Sequence, residues 1–271
     1  NHVTPTWGEK HIAEITAADV EKLIDKIDSD GKRVMANRVF TALRTFFAWC
    51  VKRSSIPISM SPCDGIERTY QEVARERVLT NDEIRWFWKA CGEHGQPFGD
   101  MFRILLLTGQ RRSEVAGIVD KEIAGRDWTI PAARTKNKQE HVVPLSDAVR
   151  AILGDVKRVR SKAGYIFTTT GATFATGWSR ATVAIAKRML ELAREETKDE
   201  GYEIERWTLH DLRRTCASGM AELRIQPHVI EAVLNHKSGV IRGIAAIYNR
   251  YGYYEEKRAA LDAWAQKVEE I

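Results

Sequence analysis

A chain of 271 residues with 42 Lys+Arg, 37 Asp+Glu and a formal charge of +5 has the length of about two domains. Its 44% hydrophobic and 29% charged residues exclude large-scale disorder. No window approaches the roughly 18 uninterrupted apolar residues of a membrane-spanning helix. The cysteines Cys50, Cys63, Cys91 and Cys216 form no CxxC pair, which excludes a zinc ribbon or disulfide scaffold and favours a reducing, cytoplasmic setting. Asn1–Lys10 has neither a basic start nor an apolar stretch, so no signal peptide is read there. The modest charge permits a polyanionic partner, and its distribution matters more than its total.

The first predicted helix covers Ala17–Ile27, capped by Thr16 with Asp19 in its first turn, and it ends at Asp30-Gly31. The second covers Lys32–Arg53. There Val39, Phe40, Leu43, Phe46, Phe47 and Cys50 recur at helical spacing and define a core face, opposite Asn37, Arg38, Thr41, Arg44, Thr45 and Lys52. Between Gly31 and Cys63 there is no acid, only the cations Lys32, Arg33, Arg38, Arg44, Lys52 and Arg53. This pattern is either a solvated face or a surface laid against phosphates, where each cation releases condensed counterions. Pro57, Pro62 and Gly65 mark a loop and the charged Glu67–Arg77 a linker, which places a domain boundary between residues 73 and 74.

The second domain opens on a capping box, Thr80 with Glu83, before the apolar run Ile84–Ala90. A helix over Phe98–Leu107 ends at Thr108-Gly109. Short strands are predicted at Trp128–Ile130 and His141–Val143, around the polar turn Thr135–Glu140, and at Tyr165–Phe167. Ser146 caps a helix through Val159. Further helices are predicted over Ser179–Ala193, Leu209–Ala221, Pro227–Leu234 and Tyr254–Val268, with the acidic Glu191–Glu205 read as a solvated surface segment. Trp86, Trp88 and Trp207 read as core or interface aromatics. Leu261, Trp264 and Val268 recur at helical spacing on the last helix, which suits packing on its own domain or docking on a neighbouring protomer. The expected fold class is mainly α (α+β): a small helical domain, then an α-rich domain with a small antiparallel sheet.

Five short motifs carry chemistry. TGQRRSEVAG over Thr108–Gly117 puts Arg111 just after a glycine turn, at a helix start. RTKNKQEHVVPL over Arg134–Leu145 is a hairpin with Lys136 and Lys138 at or near its tip. TLHDLRRT over Thr208–Thr215 places His210 and Arg213 three apart on one helical face. LNH ends on His236, and AIYNR over Ala246–Arg250 holds Tyr248. Taken singly, each reads more simply as a surface pair, a solvated arginine, a turn lysine, a core histidine or a half-buried tyrosine. Their joint occurrence, in this order, carries the inference.

Together these motifs resemble the tyrosine recombinases, the phage integrase family, over nearly the whole chain. Phage and genomic-island integrases are the most similar, through PTWGEKHIAEIT near the start and YNR…EEKRAALDAWA near the end. The resemblance implies a core-type DNA-binding domain over 1–73 and a catalytic domain over 74–271. It assigns Arg111, Lys136, His210, Arg213, His236 and Tyr248 as catalytic residues, with Glu114 supporting Arg111. Lys32, Arg33, Arg38, Arg44, Lys52 and Arg53 are then the DNA-binding cations. The implied activity is site-specific recombination through a covalent 3′-phosphotyrosyl intermediate, with no cofactor and no metal. Two guanidinium groups can clamp the non-bridging oxygens of the transition state, Lys136 can protonate the leaving oxygen, and His210 can accept the tyrosine proton.

The implied partner is double-stranded DNA at attachment sites. It is bound as a homotetramer, with a monomer when free, no membrane, and room for accessory DNA-bending proteins in a prokaryotic cytoplasm at the nucleoid. The family pattern also has helices before the PTWG segment, so the chain reads as a fragment of a longer integrase. Twelve positions separate His236 from Tyr248, more than in the simplest recombinases. Tyr251, Tyr253 and Tyr254 compete as nucleophiles, but none lies in the Ala-Ile-Tyr-Asn-Arg context. A type IB topoisomerase shares this chemistry, and the basic helix and tail helix favour recombination over it. A non-catalytic DNA-binding regulator has no physical need for Tyr248 and Lys136 together.

Overall fold

Capping side chains mark where several of the described helices begin. The computed structural model describes residues 2–67, 75–160, 162–236 and 252–271, in two compact units, Asn1–Arg75 and Glu76–Ile271. In the first unit a single turn, α1 (Thr4–Trp7), precedes α2 (Ala17–Ser29) and α3 (Arg33–Val51). The Asp19 N–H donates to the Thr16 hydroxyl at 3.2 Å and the Thr16 N–H donates to the Asp19 carboxylate at 2.9 Å. That reciprocal box satisfies donors that the first turn leaves open. Val20, Leu23, Ile24 and Ile27 of α2 form one cluster with Ala36, Phe40, Leu43 and Phe47 of α3, joined by Trp7 and Cys63.

Two positions on α3 depart from the sequence pattern. Asn37, expected on the polar face, is buried and borders a cleft with Ile24, Asp25, Gly65 and Ile66. Phe46, expected in the core, is 48% exposed and stacked on Trp49. Periodicity locates an apolar face, but which edge of that face is covered depends on elements far away in sequence.

The second unit holds α4 (Asn81–His94), α5 (Phe98–Thr108), α6 (Arg112–Ala116), α7 (Asp147–Asp155), α8 (Trp178–Thr197), α9 (Leu209–Glu222), α10 (Pro227–Val233) and α11 (Tyr254–Glu270). Three short antiparallel strands, β1 (Ile123–Ala124), β2 (Asp127–Ile130) and β3 (His141–Pro144), form a sheet in sequence order. This is the helix-dominated fold with a small sheet that the sequence predicts. Trp128 pairs with Val143 and Ile130 with His141, and all four side chains point inward and are buried. Thr80 and Glu83 form the expected box, with bonds of 2.8 and 3.3 Å, and Ser146 caps α7.

Several expectations are corrected. Tyr165–Phe167 is not a strand; Tyr165 forms only an isolated bridge with Val119. Helix α7 stops at Asp155 rather than Val159 because the Gln96 amide donates to the Asp155 carbonyl and accepts the Lys157 N–H, both at 2.9 Å. The acidic stretch is more than a solvated surface. Glu196 accepts from the Trp86 indole at 2.9 Å and from Arg85, and Arg188 gathers Glu93, Glu191 and Glu195. Among the described residues no helix is long and apolar enough to cross a membrane.

Helix α5 is the buried axis of the unit, with Met101, Phe102 and Ile104–Leu107 all at most 1% exposed. The tail helix α11 folds back on its own unit, burying Leu261, Trp264 and Val268. The Trp264 indole N–H donates to the Leu106 carbonyl at 2.9 Å. A Cβ on Gly219 of α9 would lie 2.0 Å from that indole ring. Because the hydrogen bond pins the ring, Gly219→Ala is expected to destabilise the protein by about 3 kcal/mol or more, above the usual range for overpacking. Urea denaturation checks this, and a loss below about 1 kcal/mol would show that the ring can shift.

Candidate active site

The site begins with a glycine in a left-handed turn. Gly109 ends α5 at φ 62°, and a Cβ there would lie 2.7 Å from Leu234 and 3.1 Å from the Cys216 sulfur. Both the left-handed turn and the close packing therefore require glycine. Immediately beyond it, Arg111 stands at the N-terminus of α6. The Glu114 carboxylate, buried one turn on, accepts the Arg111 N–H at 2.8 Å and its guanidinium at 3.0 Å. The other end of that guanidinium donates to the Asn235 carbonyl at 3.4 Å.

A second capping box starts α9. Thr208 donates its N–H and hydroxyl to the fully buried Asp211 carboxylate at 2.8 and 2.9 Å, and Arg214 pairs with the same carboxylate. The box sets the start of the helix that carries His210 and Arg213. The Arg213 guanidinium, 7% exposed, donates to the Gly109 carbonyl at 2.8 Å and the Leu234 carbonyl at 2.7 Å. Desolvation, and then the Arg111 charge, push its pKa down to about 10, so it remains a cation at neutral pH. The two arginines thus anchor on successive carbonyls, Leu234 and Asn235.

Arg111, His210 and Arg213 line one cleft of about 630 Å³, together with Arg112, Thr182 and Arg206. His210 is exposed as a residue, yet partial desolvation of its ring, then the charges of Arg214 and Arg213, lower its pKa below the ordinary histidine value. Those surroundings favour its neutral form. A cleft holding two cationic guanidiniums and a neutral imidazole is built for a tetrahedral or pentavalent oxyanion. Among the described residues, no group of three or more His, Cys, Asp or Glu is placed to hold a metal ion.

Lys136 is exposed at the hairpin tip, in a turn that the Thr135 hydroxyl closes on the Ala132 and Gln139 carbonyls at 3.1 and 2.7 Å. Lys138 adopts φ 54° in the same turn. His236 is exposed just beyond α10, with its N–H on the Glu231 carbonyl at 3.0 Å. Tyr248 and Tyr251 lie outside the described residues. The two other competing tyrosines are engaged elsewhere: Tyr254 donates to Asp127 of β2 at 2.5 Å, and the Tyr253 ring packs on His228. In the first unit Lys32, Arg33, Arg38, Arg44, Lys52 and Arg53 are all exposed. Lys32 and Arg33 face Asp30 and Asp28 at 3.5 and 3.6 Å, and Arg53 lies over the Trp49 ring.

Sequence reading missed the residues behind these groups. The buried Gln110 amide donates to the Thr108 and Val233 carbonyls at 2.9 and 2.8 Å, tying the glycine turn to α10. His141 bonds the Val233 carbonyl through Nε2 at 3.1 Å. Arg134 at the hairpin's base pairs with buried Glu122, which also accepts from the Trp128 indole. Asn137 and Asn235 join their side-chain amides across the site. Only His141 left a signal, an inward position in an alternating strand.

The sequence model described as the phage integrase family matches residues 77–251. Prophage integrase IntA of Escherichia coli K12 is 28% identical over 98% of this chain and 62% of its own length. Prophage integrase IntZ of the same strain is 26% identical over 99% of this chain and 64% of its own length. The chain thus spans just under two thirds of the length of these two relatives. Among solved structures, a lambda integrase(75-356) dimer bound to a COC′ core site gives a TM-score of 0.65 at 18% identity, over 89% of this chain and 86% of that one. The Tn1549 transposon integrase in complex with circular intermediate DNA gives 0.58 at 17%, over 92% and 85%. At these identities the likeness is one of fold.

The buried His141 generates a pH dependence. Its burial, followed by the Lys257 charge, pushes its pKa from 6.5 down to about 4, so the unfolded chain binds a proton that the folded one refuses. Its contribution is complete above pH 6.5 and is lost as pH falls toward 4, reaching roughly 3 kcal/mol. His141→Gln is expected to flatten this part of the stability profile in urea titrations between pH 7 and 4. Parallel profiles for variant and parent would show that the imidazole is not held neutral.

Proposed function

The chain belongs to the phage integrase family, and from that premise we propose that it cuts and rejoins DNA at specific sites through a covalent 3′-phosphotyrosyl intermediate. The observation that carries this reading is the pair Arg111 and Arg213, anchored on adjacent carbonyls beside a neutral His210 in one cleft.

In the proposed step a Tyr248 oxygen–phosphorus bond forms as the bond from phosphorus to the leaving 5′ oxygen breaks. Charge gathers on the non-bridging oxygens, where the two guanidiniums donate bidentately. Losing such a donor typically costs about 3–4 kcal/mol of transition-state stabilisation. The tyrosine proton passes to His210, and the Lys136 ammonium gives its proton to the leaving oxygen, which would otherwise depart as an alkoxide. His236 adds a hydrogen bond, and Glu114 orients Arg111. Rejoining reverses the step with the 5′ hydroxyl of another strand, so one phosphodiester is exchanged for another and no ATP is needed.

We assign residues 1–73 as a core-type DNA-binding domain and 74–271 as the catalytic domain. The exposed cations of α3 and its flanks support the first assignment. Double-stranded attachment-site DNA is the proposed partner. A lambda integrase has been solved as a tetramer bound to a Holliday junction, and a homotetramer on DNA is proposed here, with the protein a monomer when free. Accessory DNA-bending proteins fit the same reading, as does action on the nucleoid in a prokaryotic cytoplasm.

Incubation with nicked attachment-site DNA is expected to give a denaturant-resistant adduct that Tyr248→Phe abolishes without loss of binding. Wild type giving no adduct would sink the enzymatic reading, and an adduct surviving in Tyr248→Phe would move the nucleophile. Arg44→Ala is expected to lower the slope of log binding constant against log salt by about one phosphate contact. An unchanged slope would return that face to plain solvation.

A further inference from the structure

We infer that Asn137 and Asn235 form an amide clasp that positions the Lys136 turn against the arginine pair; this inference rests on the recombinase reading above. The Asn137 amide nitrogen donates to Asn235 Oδ1 at 2.5 Å, and the Asn235 amide nitrogen donates to Asn137 Oδ1 at 3.2 Å. A side-chain amide carries donor and acceptor together, so two of them can close a two-bond ring that hydroxyls or carboxylates cannot reproduce.

What the clasp joins gives it a role. Asn137 sits between Lys136 and Lys138 at the tip of the β2–β3 hairpin. Among the described residues, the other bonds of that tip, from Thr135 to Ala132 and Gln139 and from the Lys138 and Gln139 N–H groups to Thr135, are internal to the turn. Asn235 is the residue whose carbonyl receives Arg111, and its neighbour Leu234 receives Arg213. Asn235 also stands at φ 48°, a left-handed conformation that asparagine tolerates better than other residues with side chains. One residue therefore holds a phosphate-clamping guanidinium through its backbone and the lysine turn through its side chain. The clasp makes and breaks no bond in the reaction. It raises the fraction of time that an exposed, rotatable lysine spends where the leaving oxygen will be.

The test separates positioning of the acid from general damage. Asn137→Ala removes one half of the clasp. Asn235→Gly removes the other half and keeps the left-handed backbone that carries Arg111. Both variants and their combination are assayed for adduct formation on ordinary nicked DNA and on DNA with sulfur at the bridging 5′ position. That sulfur leaves as a thiolate, whose conjugate acid has a pKa of about 8.5, and needs no proton donor. Each single variant is expected to slow the ordinary substrate by about tenfold to a hundredfold with unchanged DNA affinity. The sulfur substrate should stay within about twofold of wild type, and the double variant should be no slower than the worse single, as for residues acting as one unit. Equal slowing on both substrates, effects that multiply in the double variant, or weaker DNA binding as the only change would overturn the clasp while leaving the recombinase reading intact. Wild type cleaving neither substrate would overturn both.

Discussion

Two guanidinium groups held side by side in a partly desolvated place repel each other, and the second unit is organised around making that tolerable. Among the described residues, no carboxylate pairs with Arg213. It sits instead on carbonyls at the C-terminal ends of two helices, Gly109 after α5 and Leu234 after α10. Those carbonyls have no intrahelical donor, and helix ends carry partial negative charge. One cation therefore satisfies two stranded acceptors while its charge is stabilised by two dipoles. Arg111 uses the next carbonyl and Glu114.

The same accounting extends through the end of α5. The Gly109 N–H closes on Leu105, the Trp264 indole takes Leu106, and the Gln110 amide takes Thr108. Two of these donors come from the glycine turn and the third from the tail helix. Satisfying this helix end is in this way shared among the glycine turn, α9 and the tail helix, all packed on a core that buries α5 almost completely.

Much of this was legible in the sequence where the cause is local. Thr16, Thr80 and Ser146 announced helix starts because a capping oxygen acts within one turn, and the structure begins helices beside all three. The site motifs named residues that the fold brings to one cleft, Arg111, His210 and Arg213. The misses have distant partners. Gln96 ends α7 from 59 residues away, and the Asn137–Asn235 pair spans 98. Asn37 and Phe46 exchanged their expected environments because periodicity does not say which neighbour will cover a helix edge. Two-residue β1 falls below any pattern, and the Tyr165–Phe167 run found only one bridging partner. Tyr248 lies outside the described residues, so its place is read from sequence alone.

The tail helix grips the sheet as well as α5. Tyr254 bonds Asp127 of β2, and Lys257, almost one turn later and buried, donates to the Val142 carbonyl of β3 at 2.6 Å. The hairpin is thus a beam supported at both ends: its strands are bolted to α11, and its tip rests on Asn235. Stiffness at Lys136 is set jointly by the two supports.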